Sequence, residues 1–218
     1  MSAHTRRRTS ALFCGSAAVA LSIAAQAASQ SVESAYSDYD AKACPHRPGR
    51  DPEDGGEWRC KGLNGLAVLV SMGDQRMTMS FGPRAKDEPA VGQTLQGFND
   101  VYKARIEWRL LRDAGRRAQP FAAIVRWNTF LLDERDPPDK AVRGQVLVVT
   151  RLGPGGICHV GYVDARANAD ANALARTIAD ERARAFDCDR DKPIILGATG
   201  PGFSASSGAE RVEQPGSK

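Results

Sequence analysis

Between Gln145 and Cys188 the chain sets out two β-prone runs, a turn and its only long helical pattern, with one cysteine before the helix and one after it. Gln145-Val-Leu-Val-Val-Thr-Arg151 is apolar and β-branched, Gly153-Pro154-Gly155-Gly156 suits neither helix nor strand, and Ile157 to Asp164 is β-prone again. This order predicts a hairpin. From Asn168 to Phe186 the period changes to that of a helix: Ala171, Leu174, Ala175, Ile178, Ala179, Ala185 and Phe186 fall on one side. Asn168 or Asp170 can accept from first-turn N–H groups, while Arg182 and Arg184 suit the negative pole at the far end. Arg182 also falls within the apolar stripe, so its stem should run along the sheet toward water. A bond from Cys158, which opens the second strand, to Cys188, which follows the helix, would clasp helix to hairpin. On a chain-entropy account a loop of that size stabilises by about 3 to 4 kcal/mol.

The chain begins with Arg6, Arg7 and Arg8, an uncharged stretch from Ser10 to Ala25, and Ala25-Gln26-Ala27. That is the order of a secretory signal with cleavage after Ala27; the apolar stretch is shorter than the ~20 residues of a spanning helix, and no membrane span is expected once it is removed. The leader carries three arginines and no acid, so the count falls from 30 basic and 26 acidic residues to 27 and 26, a net charge of +1. A near-neutral mature chain offers no concentrated cationic surface for nucleic acid. Its cysteines, Cys44, Cys60, Cys158 and Cys188, are even in number, and export to the periplasm or the medium makes disulfides the default. Three pairings are possible; proximity favours Cys44 with Cys60 and Cys158 with Cys188.

Residues 28–43 are polar without a period and are read as a flexible arm. Strands are expected from Trp58 onward. Leu63-Asn64-Gly65-Leu66 holds a turn signal, Met77, Met79 and Phe81 alternate with polar neighbours, Ala104, Ile106, Trp108 and Leu110 alternate with Arg105, Glu107 and Arg109, and Phe121 to Leu132 is longer and more apolar. The expected class is α+β, a twisted antiparallel sheet of six or seven hairpin-connected strands with one C-terminal helix packed on a face. A β-sandwich with an appended helix is the alternative. The predicted organisation is a single disulfide-stapled domain over 44–193, followed by a disordered tail over 194–218 rich in Gly, Ser and Ala.

Motifs for common chemistries are missing: there is no HExxH, CxxC pair or GxxxxGK phosphate loop, and no cofactor or metal is implied. Cys44, His46 and Cys60 supply only three candidate zinc ligands, and oxidation would remove two of them. Asp187, Asp189 and Asp191 imitate a calcium loop, but Lys192 stands where glycine is needed and Ala198 where the bidentate Glu is needed. His159 with Asp164 as its orienter is the one catalytic arrangement the mature chain suggests, that of a small hydrolase or transferase; a packed histidine is the plainer reading. The local concentration of charge is Arg105, Arg109, Arg112, Arg116, Arg117 and Arg126 on one hairpin. Guanidinium groups there suit carboxylate or phosphate, against the simpler reading of a solvated face with Glu107 and Asp113 interspersed.

The run Gly144-Gln-Val-Leu-Val-Val-Thr-Arg-Leu-Gly-Pro-Gly-Gly-Ile-Cys-His-Val-Gly-Tyr-Val-Asp-Ala-Arg166, with Glu107-Trp108-Arg109 upstream, resembles a group of small exported proteobacterial proteins with no assigned activity. The resemblance covers roughly 44–193 and implies a periplasmic domain; it carries no substrate or catalytic residue over. The expectation is an exported, non-catalytic envelope protein that binds an anionic ligand or a protein partner through the arginine-bearing hairpin.

Overall fold

A computed structural model describes residues 30–51, 54–113, 117–132 and 137–212. The signal-peptide reading over 1–27 and the candidate Arg116 lie outside the described residues. In chain order the strands are β1 (Ser31–Asp40), β2 (His46–Arg47), β3 (Gly56–Lys61), β4 (Ala67–Gly73), β5 (Arg76–Phe81), β6 (Phe98–Asp100), β7 (Lys103–Arg112), β8 (Gln119–Leu131), β9 (Val142–Arg151) and β10 (Cys158–Asp164). The helix α1 (Ala171–Arg182) follows, then β11 (Ile194–Leu196) and β12 (Glu210–Val212).

The class is α+β, but the strands divide between two sheets. The larger has eight strands in the order β1-β7-β8-β9-β10-β11-β12 with β6 on β8, and the smaller is an antiparallel four, β2-β3-β4-β5. The larger sheet is mixed, because β10–β11 and β11–β12 pair in parallel. Alternation with period two shows which residues share a strand face, not which sheet receives the strand, so the second sheet was not visible in the pattern. The result is three layers: the small sheet, the large sheet and α1 on the far face of the large sheet.

The alternation of β8 explains the layering. Ala123, Val125 and Trp127 point toward the small sheet and pack with Val70, Met77, Met79 and Phe81. Ala122 and Ile124 point the other way, where Leu147, Val149 and Val160 meet Leu174, Ala175 and Ile178 of α1. A strand covered on both faces reads as continuously apolar, and this is why Phe121 to Leu132 stood out.

Both disulfides form as proximity suggested, Cys44–Cys60 and Cys158–Cys188, with Cα atoms 5.1 and 5.8 Å apart. Gly156 has φ of +111°, and a Cβ there would stand 3.1 Å from the Cys188 sulfur. The turn therefore needs glycine both for its left-handed backbone and for the passage of the disulfide. Gly144 is needed for a different reason: a Cβ would collide with the carbonyl of Gly202, which Thr129 Oγ1 bonds at 2.6 Å.

Three boundaries change. Residues 31–40, expected as a flexible arm, form β1, paired with β7 along its whole length and anchored by buried Tyr39. Residues 194–212, expected as a disordered tail, supply β11 and β12, because Ile194 and Leu196 complete the apolar layer under α1. The α-helix ends at Arg182, four residues short of Phe186, yet Phe186 remains buried in the same cluster. Asp170 makes no side-chain cap, and Asn168 instead ties the preceding loop to Ala198 through both its amide atoms.

Candidate anion-binding cleft

The face of the large sheet that carries α1 is only partly covered by it. Asn172, Arg176 and Asp180 recur every four residues along one edge of the helix, and each meets a different residue of the sheet. Asp180 takes the guanidinium of Arg109 in a fork, at 2.8 Å from Nε and 2.6 Å from Nη2. Arg176 Nε reaches Glu107 Oε1 at 2.6 Å. Ser34 of β1 donates to Glu107 at 2.5 Å and also bonds Arg109. Glu107 and Arg109 are thus buried, at 7 % and 8 % exposure, where the alternation of β7 predicted a wet face. The helix lies over them, and a network of opposite charges replaces the water they lose.

Beyond this clamp the helix begins and its cover stops. There Tyr36, Lys103, Arg105, Arg126, Asn128, Gln145 and Asn172 surround a cleft of about 650 Å³ that the Glu107–Arg176 pair closes on the side of the clamp. Arg126 stands in it on β8, two residues beyond Ile124 on the same face. Its Nη1 reaches Gln145 Oε1 and its Nη2 reaches Asn172 Oδ1, both at 3.4 Å, and no carboxylate pairs with it among the described residues. From Gln145 the bonds run on to Asn128 and only then to a carboxylate, Asp100. Burial without a counter-charge pushes the pKa of Arg126 below the usual arginine value. Arg176 moves the other way, held protonated by the Glu107 carboxylate it bonds.

The arginines read from the hairpin therefore do not form one patch. Arg105 is exposed and forked to Asp38 at 2.9 and 3.4 Å. Arg112 is exposed and forked to Glu33 at 2.6 and 3.2 Å. Each carboxylate raises the pKa of its arginine. Arg117 is exposed near the end of the hairpin, and Arg109 is enclosed under α1. Arg105 and Arg126 share the cleft, with Lys103 and Arg176 added to them. Asn128, Gln145 and Asn172 escaped notice in the sequence, although two polar residues facing each other across otherwise apolar strands were a signal that the buried layer ends there.

His159 and Asp164 are not brought together. His159 is fully buried on the side of the small sheet, with its ring edge-on to Trp127. The Tyr162 hydroxyl is hydrogen-bonded to Ser206 Oγ at 2.6 Å and to His159 Nδ1 at 2.8 Å. Burial pushes the histidine down to about 3 and raises the tyrosine above its ordinary value. A histidine so placed stays neutral and out of reach of solvent, so it takes no proton near neutral pH. The carboxylate of Asp164 accepts the N–H groups of Arg166, Ala167 and Gly200 at 2.8, 3.1 and 2.7 Å, and serves to close two loops. With Cys44 and Cys60 joined, His46 is stacked on Trp58 and bonded to the Gly55 carbonyl. Asp187 is engaged by Arg190 and by the N–H of Asp189, as in an ordinary acidic turn.

Compared with protein-family models, with curated proteins and with solved structures, the chain matches none of them.

Proposed function

We propose that this protein is exported, to the periplasm or the medium, and there binds the anionic group of a small ligand or of an envelope partner in the cleft at Arg126. The observation that carries this reading is the state of that one side chain. Its guanidinium is partly withdrawn from water with no carboxylate beside it among the described residues, and its two bonds are long ones to neutral amide oxygens. A carboxylate or phosphate entering the cleft supplies the missing charge in the forked geometry that guanidinium favours. Two disulfides support the oxidising compartment. Among the described residues no helix is long and apolar enough to cross a membrane.

The test is an NMR titration of the mature, disulfide-bonded protein with sodium acetate and with inorganic phosphate, observing the arginine Nε–H and side-chain amide signals. Saturable shifts at Arg126, Gln145 and Asn172, lost in Arg126→Gln, are expected; shifts that scatter over surface lysines or survive the substitution defeat the proposal. For export, the full chain expressed with a C-terminal tag in a Gram-negative bacterium should be recovered from the periplasmic extract or the medium beginning at Ala28.

A further inference from the structure

The cleft is far larger than a single carboxylate or phosphate requires, and its remaining walls define what else the ligand must carry. Asn128 and Gln145 stand directly opposite each other in the β8–β9 register, with Gln145 Nε2 donating to Asn128 Oδ1 at 3.2 Å. Asn172 approaches from the first turn of α1. A carboxamide both donates and accepts, so a row of three suits ligand groups that also do both, and hydroxyls are such groups. On the opposite wall Tyr36 is 50 % exposed, with its hydroxyl fixed by Arg176 Nη2 at 3.3 Å. That leaves its ring as an apolar platform beside polar groups.

Charge narrows the choice further. Arg105 is taken by Asp38, Lys103 lies 3.7 Å from Asp40, and Arg176 is taken by Glu107. Of these cations Arg126 alone has no carboxylate beside it among the described residues, so the site suits one negative charge. A polyphosphate or sulfated polymer needs several free cations. An acyl carboxylate needs a free apolar wall, whereas Ile124 and Leu147 at the floor are already buried.

We infer that the cleft takes a uronate, a carboxylate-bearing sugar residue of an acidic oligosaccharide. Its carboxylate forks onto Arg126, its hydroxyls meet the carboxamides of Asn128, Gln145 and Asn172, and one face of the sugar ring lies on Tyr36. This inference rests on the anion-binding reading of the same cleft.

Calorimetric titration of the mature, disulfide-bonded protein tests it, with trigalacturonate, a hyaluronan tetrasaccharide, the methyl ester of trigalacturonate, sodium acetate and inorganic phosphate as probes. At least one acidic oligosaccharide should bind saturably, and more tightly than acetate or phosphate by about tenfold or more. Where trigalacturonate is that ligand, esterification should weaken it by a similar factor. Arg126→Gln should abolish the preference for the acid. Tyr36→Ala should weaken the acidic oligosaccharide by several fold without changing acetate, and Asn172→Ala should weaken the oligosaccharide by several fold, while Tyr36→Phe, which keeps the ring, should bind nearly as the wild type does. Thermal unfolding of each variant confirms that it is folded. Should acetate or phosphate bind at Arg126 and neither oligosaccharide bind more tightly, the uronate is excluded and the anion site stands. Should no probe respond to Arg126→Gln, both fall. Oligosaccharide binding indifferent to Tyr36 and Asn172 also overturns the inference.

Discussion

Arg109 and Arg126 project from neighbouring strands onto the same face of one sheet, and helix α1 treats them oppositely. At the covered end Arg109 is forked by Asp180 and flanked by Ser34 and Glu107, so that helix, β7 and the first strand are held by one network. At the open end Arg126 meets only the amides of Gln145 and Asn172. A buried arginine with its carboxylates belongs to the fold, and removing it leaves charges stranded. A half-buried arginine without a carboxylate gives little to the fold, which is why the proposed anion site is placed on it.

The largest effect expected from this contrast is that of Arg109→Gln. It leaves Asp180 without its fork partner and Glu107 with Arg176 alone, and the partial exposure of Asp180 keeps the loss at about 3 kcal/mol, read from urea unfolding. Glu107→Gln removes the charge that Arg176 and Ser34 bond, at the half-exposed side of the same network, and should cost about 1.5 kcal/mol by the same measurement. Acid addresses the opposite face. The folded state holds His159 near a pKa of about 3 and the unfolded chain holds it near 6.5, so only the unfolded state gains a proton between those values. The contribution of buried, neutral His159 is full above about pH 6.5 and is lost as pH falls toward 3. The slope of unfolding free energy against pH should therefore be shallower in His159→Leu between pH 6.5 and 4, with the Arg109→Gln deficit at pH 7 unchanged. Arg126→Gln should leave the ligand-free stability within about 0.5 kcal/mol of wild type or raise it, because a desolvated charge is removed. The smallest effect is that of Arg105→Ala, whose partner Asp38 is as exposed as itself; no shift of the thermal midpoint is expected.

The sequence made the hairpin, the helix and both disulfides readable because their signals are local: a glycine-rich turn, a 3.6-residue period and cysteines close together in the chain. It did not show β1 or the β11–β12 edge. Ser31 to Asp40 has a weak strand pattern of its own and is held by the register with β7, in which Asp38 stands opposite Arg105 and Glu33 reaches diagonally to Arg112. The arginine-bearing hairpin was visible as a charge concentration, yet period two alone gave Arg105, Glu107 and Arg109 the same wet face. What separates them is where α1 begins, and the four-residue recurrence of Asn172, Arg176 and Asp180 was the available sign of that boundary. The buried state of His159 lay beyond such reasoning, since it depends on Trp127 and Ser206 from distant parts of the chain as well as on nearby Tyr162.

Unfolding free energies of Arg109→Gln and Arg126→Gln, measured side by side with and without a saturating acidic oligosaccharide, test the division of labour most directly. Arg109→Gln should be destabilised and should still gain stability when the ligand is added; Arg126→Gln should match the wild type without ligand and gain nothing from it. Equal destabilisation of the two ligand-free variants, or undiminished ligand stabilisation of Arg126→Gln, would contradict the account.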